Sequence, residues 1–526
     1  MKTRFVAGRH APDERRKRAG EYVKHKRKHK HQLKRRRPVH HHFTKPHGAP
    51  PVTLASPSAP ASPPAAVSPP AATSPPAPAP VQSPGTSITL AQARRLLWRA
   101  GFGPTPGQAE ALTRTPLQQV VYGLTRPSGE AALIGPEPTD GKGNPLNPAG
   151  VRGHDHCWWL DRMVRSDQQL VERMTLIWHD WFATSNANVN RQQLMLDQNS
   201  LFRENALGSF YDLFLAVTTN PAMLVFLNGI KNNKPGVNEN YAREMMELFS
   251  LGVDRGAYTQ DDVHEMARAL TGWRADWSAA LHYHNFRFDP SYHDTGSKTV
   301  FGQSGNWNGE DAVRLCISHP LHPSFFVSKM WGYFIPTVPD QQTLASLEKI
   351  YTSSGYSIRA VVEAILQHPD FYEGPELVTP PVVYNAGLMR ATERYIDTTV
   401  WAPLGAAAGQ QLFYPPNVSG WDFSSWLATS TVKARWEIAN AVAAKDYPNP
   451  WPQGGCTYDP TEDPAAAIAS AMAYWGNPII SDESRKCIAN FAETCLSQYK
   501  SNSTYRAIRQ NALRMLIAAS PDMQVS

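Results

Sequence analysis

The stretch that decides the fold is Asn238–Gly252, "NENYAREMMELFSLG". Its apolar side chains recur at helical spacing from Tyr241 to Phe249, which predicts a helix with one buried face. Asn238 is a favourable N-cap, and Gly252 is a favourable residue just beyond the helix end. Three glutamates share this helix with a single arginine, so the role of the carboxylates has to be explained.

A second helix is predicted directly after the first. Thr259 to Asp262 fits a capping box, and the apolar residues that follow face inward as far as Gly272, so residues 238–272 form a helical hairpin. Helical periodicity also dominates the rest of the chain, and the later predicted helices are 309–317, 322–335, 341–354, 357–368, 381–396, 430–444, 464–475, 483–498 and 504–519. The fold class is therefore mostly α, with an irregular polar insertion at 273–307 in which "SKTVFG" is the best strand signal.

The charge of the chain is divided between two different regions. The net charge is +7, but the first 50 residues hold 17 Lys/Arg, 3 Asp/Glu and 8 of the 18 His, an excess of +14. We therefore predict a disordered basic tail at 1–48 and a Pro/Ala/Ser-rich linker with polyproline II preference at 49–85. Residues 86–526 are predicted to form the α-helical domain, as one large body or two lobes.

Membrane insertion and export leave recognisable marks on a sequence. No stretch of 18 continuous apolar residues is present, which predicts that the chain has no transmembrane helix. The basic start is not followed by an apolar segment, so the sequence as written has no standard signal peptide.

The charged face of the first hairpin helix has two structural explanations. Glu239, Arg243 and Glu247 lie four residues apart, so they share one side of the helix. This side is either a solvated face with an ion pair, or part of a buried ion network in which Arg268 meets a glutamate across the hairpin.

Two histidine–aspartate pairs are candidates for chemistry. His179 and Asp180 lie in the apolar helix "TLIWHDWFATSN", and His293 and Asp294 lie in the loop "DPSYHDTGSKTVFG". Imidazole beside carboxylate suits metal ligation or acid–base catalysis. The structural alternative is a histidine that caps a helix or bonds to the backbone.

Seven motifs in this order closely resemble the bacterial domain-of-unknown-function family 1800. They are "LLWRAGFGPTP", "TLIWHDWFATSN", "NENYAREMMELFSLG", "YTQDDVHEMARALTGW", "YHDTGSKTVFG", "HPSFFVSKMWGYF" and "YPPNVSGWDFSSW". The resemblance covers roughly residues 88–526. It implies a protein that is often exported and often encoded beside a second uncharacterised protein, a potential partner, and it brings no established activity. The motif residues that carry over are Asn238, Glu239, Asn240, Arg243, Glu244, Glu247, Glu265, Arg268, Gly272, Trp273, His293, Asp294, Gly296, Lys298, Pro415, Pro416, Asn417, Gly420 and Trp421. This chain has Trp181 where the family often has a second histidine, which weakens any metal site that depends on that position.

The acidic motif residues predict a polar site. Burying carboxylates without compensation costs several kcal/mol each, and two arginines offset only part of the charge. We therefore predict that Glu244, Glu247, His293 and Asp294 are catalytic and bind a divalent metal, with Mg, Ca, Mn, Fe and Zn all open. Lys298 is predicted to neutralise a developing oxyanion near the rim of the cleft.

Two classes of function fit these patterns. The first is an extracytoplasmic or envelope-associated enzyme, hydrolase-like, with the carboxylate/histidine site described above. The second is a non-catalytic binding or assembly protein in which the polar network is structural. In that second class, Trp421 and Trp426 form an interface or a carbohydrate platform.

The basic tail is predicted to bind a polyanion, whether nucleic acid, anionic lipid or an acidic wall polymer. The alternative is a tail that only keeps the protein in solution. Its affinity for a DNA duplex, measured by fluorescence anisotropy, should fall steeply between about 50 and 200 mM salt through counterion release. Affinity should rise below about pH 6.5 as the eight histidines become charged. An affinity that is insensitive to salt would contradict this prediction.

Overall fold

Local sequence signals begin several helices of the computed structural model, which describes residues 87–459, 462–499 and 502–526. Capping boxes start the helices at Thr89, Thr259 and Asn308, because each side chain accepts from a backbone N–H three residues on and the bond is reciprocated. The tail and linker predicted for 1–48 and 49–85 lie outside the described residues, and the domain boundaries stay predictions.

Helices make up most of the described structure, which confirms the mostly α fold class. The first eleven helices, α1 to α11, are Leu90–Arg99, Gln108–Leu112, Leu117–Thr125, His154–Arg165, Gln169–Trp181, Asn186–Val189, Gln192–Glu204, Phe210–Thr218, Pro221–Phe226, Asn240–Glu244 and Gln260–Ala269. The next eleven, α12 to α22, are Gly309–Ser318, His322–Gly332, Gln341–Ser353, Ile358–Leu366, Pro369–Glu373, Pro381–Ala391, Trp401–Ala407, Thr429–Ala443, Pro464–Tyr474, Asp482–Tyr499 and Ser503–Ala518.

The insertion at 273–307, expected to be irregular, contains two small antiparallel hairpins. In the first, β1 (Trp273–Ser278) pairs with β2 (His282–Phe288), with a register shift at Ala275/Asp276. In the second, β3 (Lys298–Val300) pairs with β4 (Gln303–Gly305), so the strand predicted from "SKTVFG" is confirmed.

Two hydrophobic cores share one helix. The first core includes Trp178 and Trp181 of α5, and the second includes Leu176 of the same helix together with Trp159 and Trp401. Since α5 supplies side chains to both cores, a polar residue on this helix lies where the two meet. None of the helices in the described ranges is long and apolar enough to cross a bilayer.

The stretch Asn238–Gly252 is helical, but its geometry changes along its length. The helix begins at Asn240, two residues after the predicted N-cap, and Asn238 instead accepts from the Asn240 N–H at 3.1 Å. After Glu244 the α-helix widens into a π-helix, Met245–Ser250. Gly252 has a φ of +88°, which confirms its predicted place beyond the helix end.

Side chains from other segments satisfy the carbonyl groups at the end of the π-helix. A helix leaves its last carbonyls without backbone donors. Here Lys329 Nζ donates to the Leu248 carbonyl at 3.0 Å. Trp181 Nε1 donates to the Phe249 carbonyl at 3.1 Å. His322 Nδ1 donates to the Ser250 carbonyl at 2.8 Å, and Arg255 Nη1 donates to the Leu251 carbonyl at 3.0 Å. These four donors, Lys329, Trp181, His322 and Arg255, are named the cap donors below.

His322 is neutral in this arrangement. Because a carbonyl only accepts, its Nδ1 carries the proton, and Nε2 accepts from the Tyr351 hydroxyl at 2.9 Å. Burial lowers the pKa of His322 to about 4. The unfolded chain therefore binds more protons than the folded chain between pH 6.5 and about 4, so this residue makes stability rise with pH across that window.

His322→Phe tests the cap. The variant leaves the Ser250 carbonyl and the Tyr351 hydroxyl buried without their partner, which should cost about 1–3 kcal/mol for each group. Denaturant unfolding should show this loss at pH 7 and a smaller pH dependence of stability between pH 6.5 and about 4 than in the wild type. His264→Ala is the control, because His264 is half exposed and its loss should change stability by no more than about 0.5 kcal/mol. Equal losses in the two variants would contradict the role of His322.

Candidate active site

The glutamates of the first hairpin helix are organised around Arg243. Its guanidinium bonds Glu239 at 3.3 Å and Glu247 at 3.4 Å. Glu239 also accepts from Gln260 at 2.7 Å and lies 3.0 Å from a ring nitrogen of His264, and this contact with His264 is the largest cause of its lowered pKa. One arginine thus pairs with two of the three carboxylates.

Glu244, the third carboxylate, lies in a different environment. Partial burial, followed by the charge of Glu247, raises the pKa of Glu244. These two residues lie three positions apart, Glu244 at the end of the α-helix and Glu247 in the π-helix that continues it. The pKa of Glu244 is therefore shifted in the direction opposite to that of Glu239.

Arg268 organises a second group of acids. Its Nε and Nη2 donate to Asp294 at 2.8 and 3.2 Å, and its Nη1 donates to both oxygens of Glu265, at 2.9 and 2.7 Å. Arg268 therefore pairs with Glu265 of its own helix, where a partner across the hairpin was expected. Bonding to Arg268 lowers the pKa of Asp294 to about 2, so the carboxylate is ionised and paired.

His293 and Lys298 are held by backbone groups. The Nδ1 atom of His293 lies 2.9 Å from the Thr271 carbonyl, and the side chain is buried. Lys298 Nζ donates to the carbonyls of Asp294 and Gly296, at 2.6 and 3.0 Å, and to the Asn306 side chain at 3.4 Å. Both contact sets stabilise the loop that carries them.

The predicted metal ligands do not form a coordination group in this arrangement. Within the described ranges, no set of three or more His, Cys, Asp or Glu side chains is placed to hold a metal ion. Glu247 is paired with Arg243, and Asp294 is paired with Arg268. To bind one metal ion together, both carboxylates would have to leave these ion pairs. The catalytic roles of Glu244, Glu247, His293, Asp294 and Lys298 stay predictions.

A different cavity brings three of the sequence motifs together. It has a volume of about 550 Å³ and lies where the end of α5, the helix α13 and the loop after Pro416 meet. We name it the Asp180 pocket. Its lining residues are Asp180, Ser328, Lys329, Gly332, Tyr333, Asn417, Ser419, Gly420, Trp421, Asp422, Phe423 and Ser424.

Asp180 lies at the inner wall of this pocket. Its carboxylate accepts from the Tyr333 hydroxyl at 2.7 Å and from the Trp421 backbone N–H at 2.8 Å. The side chain is buried, and this burial raises the pKa of Asp180. Gly420 has a φ of +90°, and a Cβ at this position would collide with the Asp180 carboxylate. The glycine of the "NVSGW" motif therefore allows the loop to close on Asp180.

Lys329 brings an amine to the same pocket. Its Nζ donates to the Leu248 carbonyl and lies 4.3 Å from the centre of a Trp181 ring. Burial lowers the pKa of Lys329 to about 8, and the charge of Asp180 opposes this shift. The amine is therefore present in both its charged and its neutral form at mildly alkaline pH.

His179 does not share the pocket with Asp180. It is fully buried among aromatic rings, with Trp159 and Trp421 at centroid distances of 5.4 and 5.6 Å. Neither ring nitrogen has a hydrogen-bond partner among the described residues, and burial lowers its pKa to about 3. Of the first histidine–aspartate pair, only the aspartate lines the cavity.

Two functional candidates were missed by sequence reasoning. Lys329 and Tyr333 lie four residues apart in "HPSFFVSKMWGYF", and the available signal was a lysine within a mainly apolar helix. Trp421 and Trp426 are only 5% and 3% exposed and pack in the second core, although Trp421 also lines the Asp180 pocket. Their predicted role as an interface or a carbohydrate platform stays a prediction.

Comparisons with known proteins identify a family. A search of curated proteins gave no match, and a search of solved structures gave none either. The family model described as "Protein of unknown function (DUF1800)" matches residues 95–525. This segment includes every residue that lines the Asp180 pocket. The chain therefore belongs to the DUF1800 family, as its motifs indicated.

Proposed function

We propose that this protein is an enzyme whose reaction takes place in the Asp180 pocket. The observation that carries the proposal is the meeting of an amine with a lowered pKa, Lys329, and a buried hydrogen-bonded pair, Asp180 and Tyr333, in one cavity. Strongly shifted titratable groups in a cleft are typical of active sites, because catalysis needs groups that change charge near the working pH.

Lys329 is the acid–base group of the proposed mechanism. In its neutral form the amine takes a proton from a water molecule or from a substrate group, and in its charged form it returns that proton. Activation of water in this way gives the hydrolytic chemistry expected from the sequence. The negative charge of Asp180 raises the pKa of Lys329 and so partly offsets the effect of burial on the amine.

Tyr333 and the loop residues orient the substrate. The bond from the Tyr333 hydroxyl to Asp180 fixes both side chains. Ser328, Asn417, Ser419 and Ser424 supply hydroxyl and amide groups to the wall, and Phe423 supplies an apolar surface. This lining suits a small polar substrate that has one apolar face.

The proposal also separates catalysis from simple binding. A binding or assembly protein needs shape and hydrogen bonds, but it has no need of an amine that changes charge near neutral pH. The lowered pKa of Lys329 is therefore the property that an experiment should measure.

Competitive amine labelling across a pH series tests this site. In the full-length protein, the labelling of Lys329 followed by peptide mass spectrometry should report a pKa of about 8, against about 10.4 for an ordinary lysine. Asp180→Asn should lower the pKa further, because it removes the negative charge that opposes the effect of burial. The exposed Lys433 is the reference in the same samples. A Lys329 that titrates like an ordinary lysine would refute the proposed role.

The predicted metal site can be tested in the same protein. We expect a site at Glu244, Glu247, His293 and Asp294 to lose its metal in Glu247→Gln, because the amide is a poorer ligand than the carboxylate. Elemental analysis of the full-length wild type and variant, after the same chelator wash, measures this loss. The histidine-rich tail is identical in both, so the metal that it binds cancels in the comparison. Equal metal contents would contradict the metal site.

A further inference from the structure

We propose that the Asp180 pocket accepts a carbonyl compound and holds it on Lys329 as an imine. This inference rests on the proposed function, because it names the substrate class of the same pocket. It assigns to Lys329 a covalent role in addition to proton transfer.

Lys329 has fewer hydrogen-bond partners than its ammonium form can use. An ammonium group has three N–H donors. Among the described residues, the Leu248 carbonyl is the one acceptor within hydrogen-bond distance of Lys329 Nζ. Lys298, whose side chain is buried, has three acceptors for its three donors and does not line the pocket. Burial lowers the pKa of Lys298 as well, but each donor of its ammonium form has an acceptor, whereas Lys329 is left under-coordinated beside a cavity.

The surroundings of Lys329 suit a protonated imine. Such an iminium has a single N–H, which the Leu248 carbonyl can accept without movement of the chain. Three features favour the positive charge. They are the negative end of the helix that carries Leu248, the face of the Trp181 ring at 4.3 Å, and the Asp180 carboxylate.

The chemical step is balanced without any further reactant. The lone pair of the neutral amine attacks the carbonyl carbon, a C–N bond forms, and the carbonyl oxygen takes up a proton to give a carbinolamine. A proton then leaves nitrogen, the C–O bond breaks, and the oxygen departs as water after a second protonation. Overall, amine, carbonyl compound and one proton give iminium and water. Tyr333 and Asp180 share a hydrogen bond in the same cavity and can relay these protons.

Partial neutralisation of the amine makes the attack feasible at ordinary pH. A lysine is a nucleophile only in its neutral form, and burial lowers the pKa of Lys329 to about 8. At about pH 7.5, a lysine with the usual pKa of about 10.4 is neutral in only about one molecule in a thousand. Lys329 therefore reacts at a pH where surface lysines are largely protected.

Reductive trapping tests the imine directly. The full-length protein is incubated with glycolaldehyde, a small polar aldehyde, and sodium cyanoborohydride at about pH 7.5, and the alkylated lysines are located by peptide mass spectrometry. Lys329 should be modified at least about tenfold faster than the lysines of the basic tail, because its neutral fraction at this pH is roughly 200 times larger. Lys298 is the matched buried control and should stay unmodified in the folded protein.

Variants and outcomes separate this inference from the proposed function. Tyr333→Phe should slow the trapping on Lys329 while circular dichroism shows an unchanged fold, since it removes the hydroxyl that relays protons and keeps the Asp180 carboxylate. If Lys329 titrates near pH 8 but is trapped no faster than tail lysines, the imine is wrong and the acid–base site stands. If Lys329 neither titrates near pH 8 nor is trapped, both are wrong. Faster trapping of Lys298 than of Lys329 would also overturn the imine.

Discussion

The end of the π-helix Met245–Ser250 is the constraint on which the rest of the structure depends. Its last carbonyl groups are buried or partly buried, and a fully buried acceptor without a donor costs about 1–3 kcal/mol. The four cap donors remove that cost, and they come from α5, from α13 and from the turn that follows the π-helix. Each donor reaches its carbonyl only if its own segment is packed correctly. The requirement for hydrogen bonds thus fixes the positions of α5 and α13 relative to the hairpin.

The same constraint prepares the Asp180 pocket. Trp181 follows Asp180 on α5, and Lys329 lies four residues before Tyr333. When Trp181 and Lys329 donate to the helix end, Asp180 and Tyr333 come within 2.7 Å of each other. The amine is also held in a partly apolar setting that lowers its pKa. Structural capping and the chemistry of the pocket therefore depend on the same two side chains, so a substitution at either position affects both.

Local signals in the sequence predicted the fold well and the pocket poorly. The helices predicted at 309–317, 341–354 and 464–475 agree with the structure to within one residue at each end, because capping and amphipathic spacing are short-range properties. The helix His154–Arg165 was missed, since buried Asp155, His156, Asp161 and Arg165 interrupt its apolar pattern. In the polar network, the pairing of Arg243 with Glu239 and Glu247 follows from helical spacing. The bond between Asp180 and Tyr333 joins residues 153 positions apart, and no local pattern reports such a contact.

Trp181, at the position where the resemblance implied a second histidine, has a structural role of its own. If position 181 is taken as a metal ligand, tryptophan in place of histidine removes that ligand. In the structure, the indole N–H donates to the Phe249 carbonyl, and the ring face supports the Lys329 amine. A histidine also carries a ring N–H, so it can supply the same donor to the same carbonyl. What the two residues share is a hydrogen-bond donor for the helix end. Tryptophan adds an electron-rich face beside the cation, and this face favours a positively charged nitrogen at Lys329.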